Sequence, residues 1–224
     1  MNRGLTVSAL AGLIPVIAVN LALAININAG LDACFPYWEG CLSVSRAVRS
    51  GPGLLIFKLL AWPTAFLMIY SWKLSADWLR RQNPTGRKQQ QLIFWMGAFG
   101  AVFFLIYANW LGTDGELYRW LRRYGVVFYF GLTALAQLTF ASGLWNIRKT
   151  RHGVLSRYHE NVYFGIISLS WLLGVSSAFK RKLIEDPVFQ DQVENLLEWN
   201  FALVLSLTFV ALGFVIRSDH SSTK

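Results

Sequence analysis

Six stretches of this chain, each close to 20 residues long, carry almost no charged side chains. A charge in hydrocarbon costs several kcal/mol unless it is paired or reaches the interface. About 20 apolar residues in a helix span the ~30 Å of a bilayer core. The runs lie at about 5–27, 53–72, 91–111, 125–145, 161–179 and 199–216. They are continuous and long, whereas barrel strands alternate apolar and polar over about ten residues. The reading is all-α: a polytopic bundle of six transmembrane helices. The connecting segments are too short to hold a second folded unit, so residues 1–224 form a single transmembrane domain.

Charge supports this class and excludes another. Charged residues make up 15% of the chain, against about 25% in an ordinary soluble domain. The net charge of +9 invites a nucleic-acid reading, but nucleic-acid binders gather Lys and Arg on a solvated face. Here the cations flank apolar spans, where topology and anionic headgroups account for them. No nucleic-acid partner is expected. The first run follows Met1-Asn2-Arg3-Gly4 and ends near a small-x-small triplet, Ala22-Leu23-Ala24. Signal-peptide cores are shorter, about 7–15 residues. The expectation is an uncleaved first helix.

Orientation follows from Lys and Arg in the short loops. With both termini in the cytoplasm, twelve cations fall inside, including Lys73, Arg80, Arg81, Arg87 and Lys88. Eight fall outside: Arg46, Arg49, Arg119, Arg122, Arg123, Lys180, Arg181 and Lys182. Trp72, Trp110, Trp145 and Trp199 stand at the proposed span ends, where an amphipathic ring prefers the headgroup layer.

The first outer segment, from Asn28 to Pro52, is the longest. Loops beyond about 12–15 residues are usually functional or disordered. Phe35, Tyr37 and Trp38 argue against disorder, so this loop should fold down onto the bundle. It holds both cysteines, Cys34 and Cys41. On the oxidising side of a membrane two close cysteines usually pair, and a disulfide is expected, with two free thiols as the alternative.

The segment Cys41-Leu42-Ser43-Val44-Ser45-Arg46-Ala47-Val48-Arg49-Ser50-Gly51-Pro52-Gly53, running into Leu54, Phe57 and Lys58, resembles the first-loop segment of the Frag/DRAM/Sfk family of six-helix membrane proteins. There a serine-containing stretch follows the first helix and a Gly/Pro break opens the second. Eukaryotic members often carry proline before the serine step, where this chain has Cys41-Leu42. The resemblance implies a six-span bundle and a role in membrane-lipid organisation or lipid remodelling. No Asn-x-Ser/Thr acceptor occurs, since Asn83 precedes Pro84. A bacterial inner-membrane location is favoured, with a eukaryotic endomembrane as the alternative.

Candidate chemistry is sparse. Ser43 and Ser45 would need a base within reach, and the proposed topology puts His152, His159 and His220 across the membrane from them. Lys58 could serve as a base if burial lowered its pKa, or it could snorkel to the interface. No His-x-x-x-His or Cys-x-x-Cys spacing is present, so neither metal nor cofactor is expected. Polar residues inside spans usually face the bundle interior. Those at the outer end are Asn26, Lys58, Asn109, Glu198 and Asn200. Either they serve as interhelical hydrogen-bond glue, or they converge beneath the first loop as one polar pocket, with Arg46 and Arg49 above it. Such a pocket suits an anionic phospholipid headgroup. The alternative for Arg46 and Arg49 is an amphipathic loop helix resting on lipid phosphates.

The reading is therefore a protein that binds or organises membrane lipid. A membrane-embedded lipid-modifying enzyme and a small-solute transporter or channel subunit are the alternatives. Only Pro15 and Pro63 break spans, both in the first half, without the paired breaks of repeat-built transporters.

Overall fold

The computed structural model describes residues 3–150 and 157–218. Its elements are α1 (Arg3–Asn28), α2 (Pro36–Glu39), α3 (Val44–Val48), α4 (Gly53–Gln82), α5 (Arg87–Trp110), α6 (Glu116–Thr150), α7 (Arg157–Leu183) and α8 (Pro187–Ser218). Six of these helices are long and apolar enough to cross a membrane: α1, α4, α5, α6, α7 and α8. Their alternation puts α2, α3 and the α5–α6 and α7–α8 turns at one end, the loop face.

The bundle is built as a membrane fold. Large apolar side chains such as Ile17, Leu59, Phe66, Phe99 and Leu172 point outward, while Ser8, Thr64, Ser71, Ser75, Thr133 and Thr208 are buried. Lipid is as apolar as leucine, so helix association relies on close packing and interhelical hydrogen bonds. The hydroxyls of Ser8 and Ser71 bond at 2.7 Å between α1 and α4. A Cβ on Gly12 would fall 2.3 Å from the Ser206 carbonyl oxygen, so α1 lies directly against α8. Gly97 of α5 does the same for α4. A Cβ there would sit 2.2 Å from the Trp72 indole.

Several helices outrun their apolar cores. α4 continues ten residues past Trp72, and α8 begins twelve before Trp199. Hydropathy marks the hydrocarbon segment only, and the hydrogen-bonded ladder runs on through the headgroup layer. Two of the four boundary tryptophans are not interfacial. Trp72 packs against Phe209 and Trp199 against Tyr37, both fully buried. Trp110 and Trp145 are exposed, as an interface ring should be.

One packing asymmetry shapes the molecule. α5 and α6 pack along their lengths, as do α7 and α8, but among the described residues the α6–α7 contacts gather at the end opposite the loop face. There the Tyr163 hydroxyl donates to the Gln137 carbonyl at 3.3 Å, Tyr163 stands edge-on to Phe140, and Trp145 stands edge-on to Phe164. Arg148 donates to Asn161 at 2.8 Å and lies 3.7 Å from Glu160. Towards the loop face α6 and α7 diverge.

Gly97→Ala tests the close packing. The new methyl must displace the Trp72 ring, and overpacking of this kind costs about 1–3 kcal/mol. Thermal unfolding in detergent should show a clearly lowered midpoint; an unchanged midpoint would refute the α4–α5 geometry.

Candidate functional site

The first loop is an ordered cap. Asn26 of α1 is 5% exposed and makes three hydrogen bonds to it. Its amide donates to the carbonyls of Ala47 (2.8 Å) and Ser50 (2.9 Å), and its oxygen accepts from the Gly53 N–H (2.9 Å). The end of α3 and the start of α4, both of which leave backbone groups unpaired, are thus satisfied by one side chain. Gly51 adopts φ +71°, and a Cβ on it would lie 2.5 Å from the Asn26 oxygen. A second set of tethers comes from α8. Asn195 donates to Gly40 O, the Trp199 indole to Leu42 O, and Asn200 to Tyr37 O, each at 2.9 Å. Asn20 donates to the Tyr37 hydroxyl at 2.8 Å. Burial pushes the Tyr37 phenol above its ordinary pKa, and the bond from Asn20 opposes that in part. Cys34 and Cys41 are joined as a disulfide closing this cap, with Cα atoms 6.5 Å apart.

The serines have local work. Ser43 is the N-cap of α3, its hydroxyl accepting from the Arg46 N–H at 3.2 Å, and the Ser43 and Ser45 hydroxyls are 3.3 Å apart. α3 buries Ala47 and Val48 and turns Arg46 and Arg49 outward. Gly112, in the α5–α6 turn at φ +78°, approaches the Arg49 carbonyl so closely that a Cβ would lie 2.6 Å away. This contact sets Arg49 beside the first turns of α6.

There the main cavity opens, with a volume of about 1010 Å³. Its wall on α6 is one continuous stripe: Arg119, Arg122, Arg123, Val126, Val127, Phe130, Gly131, Ala134 and Leu135. α7 supplies the other wall with Ser170, Trp171, Gly174, Val175, Ser177 and Ala178. α8 forms the floor with Glu194, Leu197, Glu198 and Phe201; Ser45 and Arg49 reach over the mouth. At 1.5 Å per residue, the stripe from Arg119 to Leu135 is about 24 Å long, and its apolar part from Val126 about 14 Å. A smaller cavity of about 60 Å³ continues inward past Tyr107, Val126, Phe130 and Glu198.

The sequence-derived candidates divide across this geometry. Arg49, Ser45 and Glu198 line the cavity. Arg46 is exposed on α3 away from it, and Ser43 is occupied as a cap. Asn26 and Asn200 hold the loop rather than face an open space. Lys58 and Asn109 are half-buried and line neither cavity. The five polar residues therefore do not gather into one pocket: helix rotation sends Asn26 and Asn200 to the loop, Glu198 to the groove, and Lys58 and Asn109 elsewhere. His159 lies at the far end, its ring stacked on Phe214; His152 and His220 lie outside the described residues. The groove's main cations, Arg119, Arg122 and Arg123, stand in the sequence among the charges of an outer loop. Their spacing, continued by Val126, Val127 and Phe130, is one face of a helix.

No protein-family model matches this chain, and no curated protein or solved structure matches it either.

Asn26→Ala would leave three backbone groups at the loop junction without their partner. Each net hydrogen bond is worth about 0.5–1.5 kcal/mol, more where a buried group is orphaned. Hydrogen exchange should speed up across residues 47–53 and the thermal midpoint should fall; unchanged protection there would contradict the tether.

Proposed function

We propose that this protein binds a membrane lipid with an anionic headgroup in the groove between α6 and α7. One observation carries the reading: a cavity with four arginines at its mouth against the two carboxylates of Glu194 and Glu198 on its floor, and with apolar α6 walls below, open sideways where two membrane-spanning helices part. Guanidinium groups suit phosphate because they offer forked, charge-assisted donors. The apolar stretch of about 14 Å matches one leaflet, half of a ~30 Å core. The occupant is then a lipid of the loop-face leaflet, its phosphate among Arg49, Arg119 and Arg123 and a chain along Val127, Phe130 and Gly131. Arg122 already donates to the carbonyls of Trp110 and Thr113, so it braces the mouth as well. The likeness of residues 41–58 to the Frag/DRAM/Sfk first loop supports a lipid role.

Gly131 gives a clean test. It lines the groove, and a Cβ built on it meets nothing within 4 Å. Gly131→Phe should fill the groove without disturbing the bundle, and replacing a mid-helix glycine favours the helix by some tenths of a kcal/mol. In native mass spectrometry of detergent-purified protein, wild type should retain an anionic phospholipid. Gly131→Phe and Arg119→Gln/Arg123→Gln should each retain one anionic phospholipid fewer than wild type, with thermal midpoints kept. Retention equal to wild type in all of these variants would sink the proposal.

The loop face is further read as the extracytoplasmic side, with both termini inside. The cation distribution supports this, as does a disulfide, which persists in oxidising compartments. A single cysteine at Thr85, in a Cys34→Ser/Cys41→Ser background, should resist an impermeant maleimide added outside cells. Ready labelling would reverse the orientation.

A further inference from the structure

We propose that a second groove, between α4 and α5 at the end opposite the loop face, binds the headgroup of an anionic phospholipid from the other leaflet. Its volume is about 280 Å³. The walls are two facing helical stripes: Lys73, Ala76, Asp77 and Arg80 on α4, and Arg87, Gln90, Gln91, Phe94 and Trp95 on α5. This site shares no residue with the α6–α7 groove and stands independently of it.

Three features point to an anion. Lys73, Arg80 and Arg87 all face one groove, while their neighbours Arg81 and Lys88 do not line it. Among the described residues none of the three forms an ion pair with a carboxylate, although Asp77 lies on the same stripe. The groove therefore keeps a net charge of +2 with three unengaged cations. Its scaffold is also fixed. The Gln90 side chain donates to the Asn83 carbonyl at 2.7 Å, the Thr85 hydroxyl to the Asn83 side chain at 2.8 Å, and the Gly86 N–H to the Asn83 carbonyl at 3.3 Å. The α4–α5 turn thus holds Arg80 and Arg87 on either side of one cleft.

Depth identifies the anion's source. α4 starts at Gly53 at the loop face. About 20 residues cross the hydrocarbon, which puts Lys73 at its far edge. Asp77 and Arg80 then stand in the headgroup layer, and Arg80 is long enough to reach back along the stem. Trp95 of α5 is 54% exposed beside Phe94, as in the aromatic belt of a membrane boundary. A groove with aromatic rings at its membrane end and cations above them takes a phosphate attached to acyl chains. A free phosphate would gain nothing from the rings.

The test titrates purified protein in detergent with dioleoylphosphatidylglycerol and with dioleoylphosphatidylcholine, counting bound lipid by native mass spectrometry. It is run in wild type and in the Gly131→Phe background, so that the two grooves are counted separately. Arg80→Gln/Arg87→Gln should weaken phosphatidylglycerol binding about tenfold or more, which is the loss of one strong charge-assisted contact or its equivalent. Phosphatidylcholine binding should stay as it was. Arg80→Lys/Arg87→Lys keeps the charge and should bind better than the Gln pair, separating charge from folding. If the double variant is unfolded by thermal melting, Lys73→Gln alone should give the smaller loss. Phosphatidylglycerol binding unchanged in the Gln variants would overturn the proposal. Displacement of the lipid by millimolar inorganic phosphate would overturn the lipid as the source.

Discussion

Asn26 is the side chain on which the loop-face architecture hangs. A helix that ends in a membrane leaves carbonyls and N–H groups that water cannot reach, and each unmet group is expensive. Between α1 and α4 the chain makes two short helices and several tight turns, so the difficulty is concentrated there. One buried amide answers it by bonding Ala47, Ser50 and Gly53 together. The glycines at 51 and 53 are required by that same contact, because a side chain at either would strike the Asn26 oxygen. With this junction fixed, α3 is fixed, and through Gly112 the first turns of α6 are set beside Arg49.

The groove is the other consequence of how the helices share contacts. α1 lies between α4 and α8 through a stripe of small residues, α6 leans on α5, and α7 leans on α8. Among the described residues no element fills the angle between α6 and α7 at the loop face. Among the described residues they are held at the far end, by Tyr163, Phe140 and Arg148. The stripe of α6 that faces this gap passes from arginine to apolar over about 24 Å. Arg119, Arg122 and Arg123 stand at the end of this gap where the proposed headgroup would sit.

The six spans were legible because hydrocarbon filters composition strongly: charge is excluded over whole helices. The helix ends were not, since residues such as Pro187 to Glu198 are polar enough to read as a loop and yet continue α8. The cap was half legible. The cysteines and aromatics of residues 34–41 announced an ordered loop, but its anchors Asn195 and Trp199 lie more than 150 residues away in sequence. Trp72 and Trp199 misled for a related reason: a tryptophan near a span end packs inward as readily as outward, and only the rotation of its helix decides. The same rotation separated Glu198 from Lys58 and Asn109. The arginines at 119, 122 and 123 carried a readable signal, the i, i+3, i+4 spacing that places them on one face with Val126 and Phe130, but a hydropathy boundary drawn at residue 125 cut that face in two.

On the proposed reading a lipid enters the α6–α7 groove from the side. A phospholipid carrying a photoactivatable group in its acyl chain, incorporated into bilayers with the purified protein, tests it most directly. After illumination and digestion, adducts should concentrate on residues 126–135 of α6 and 170–178 of α7, whose walls surround the chain. Adducts spread over the outward faces of α1 and α4, with none enriched in those two segments, would contradict the account.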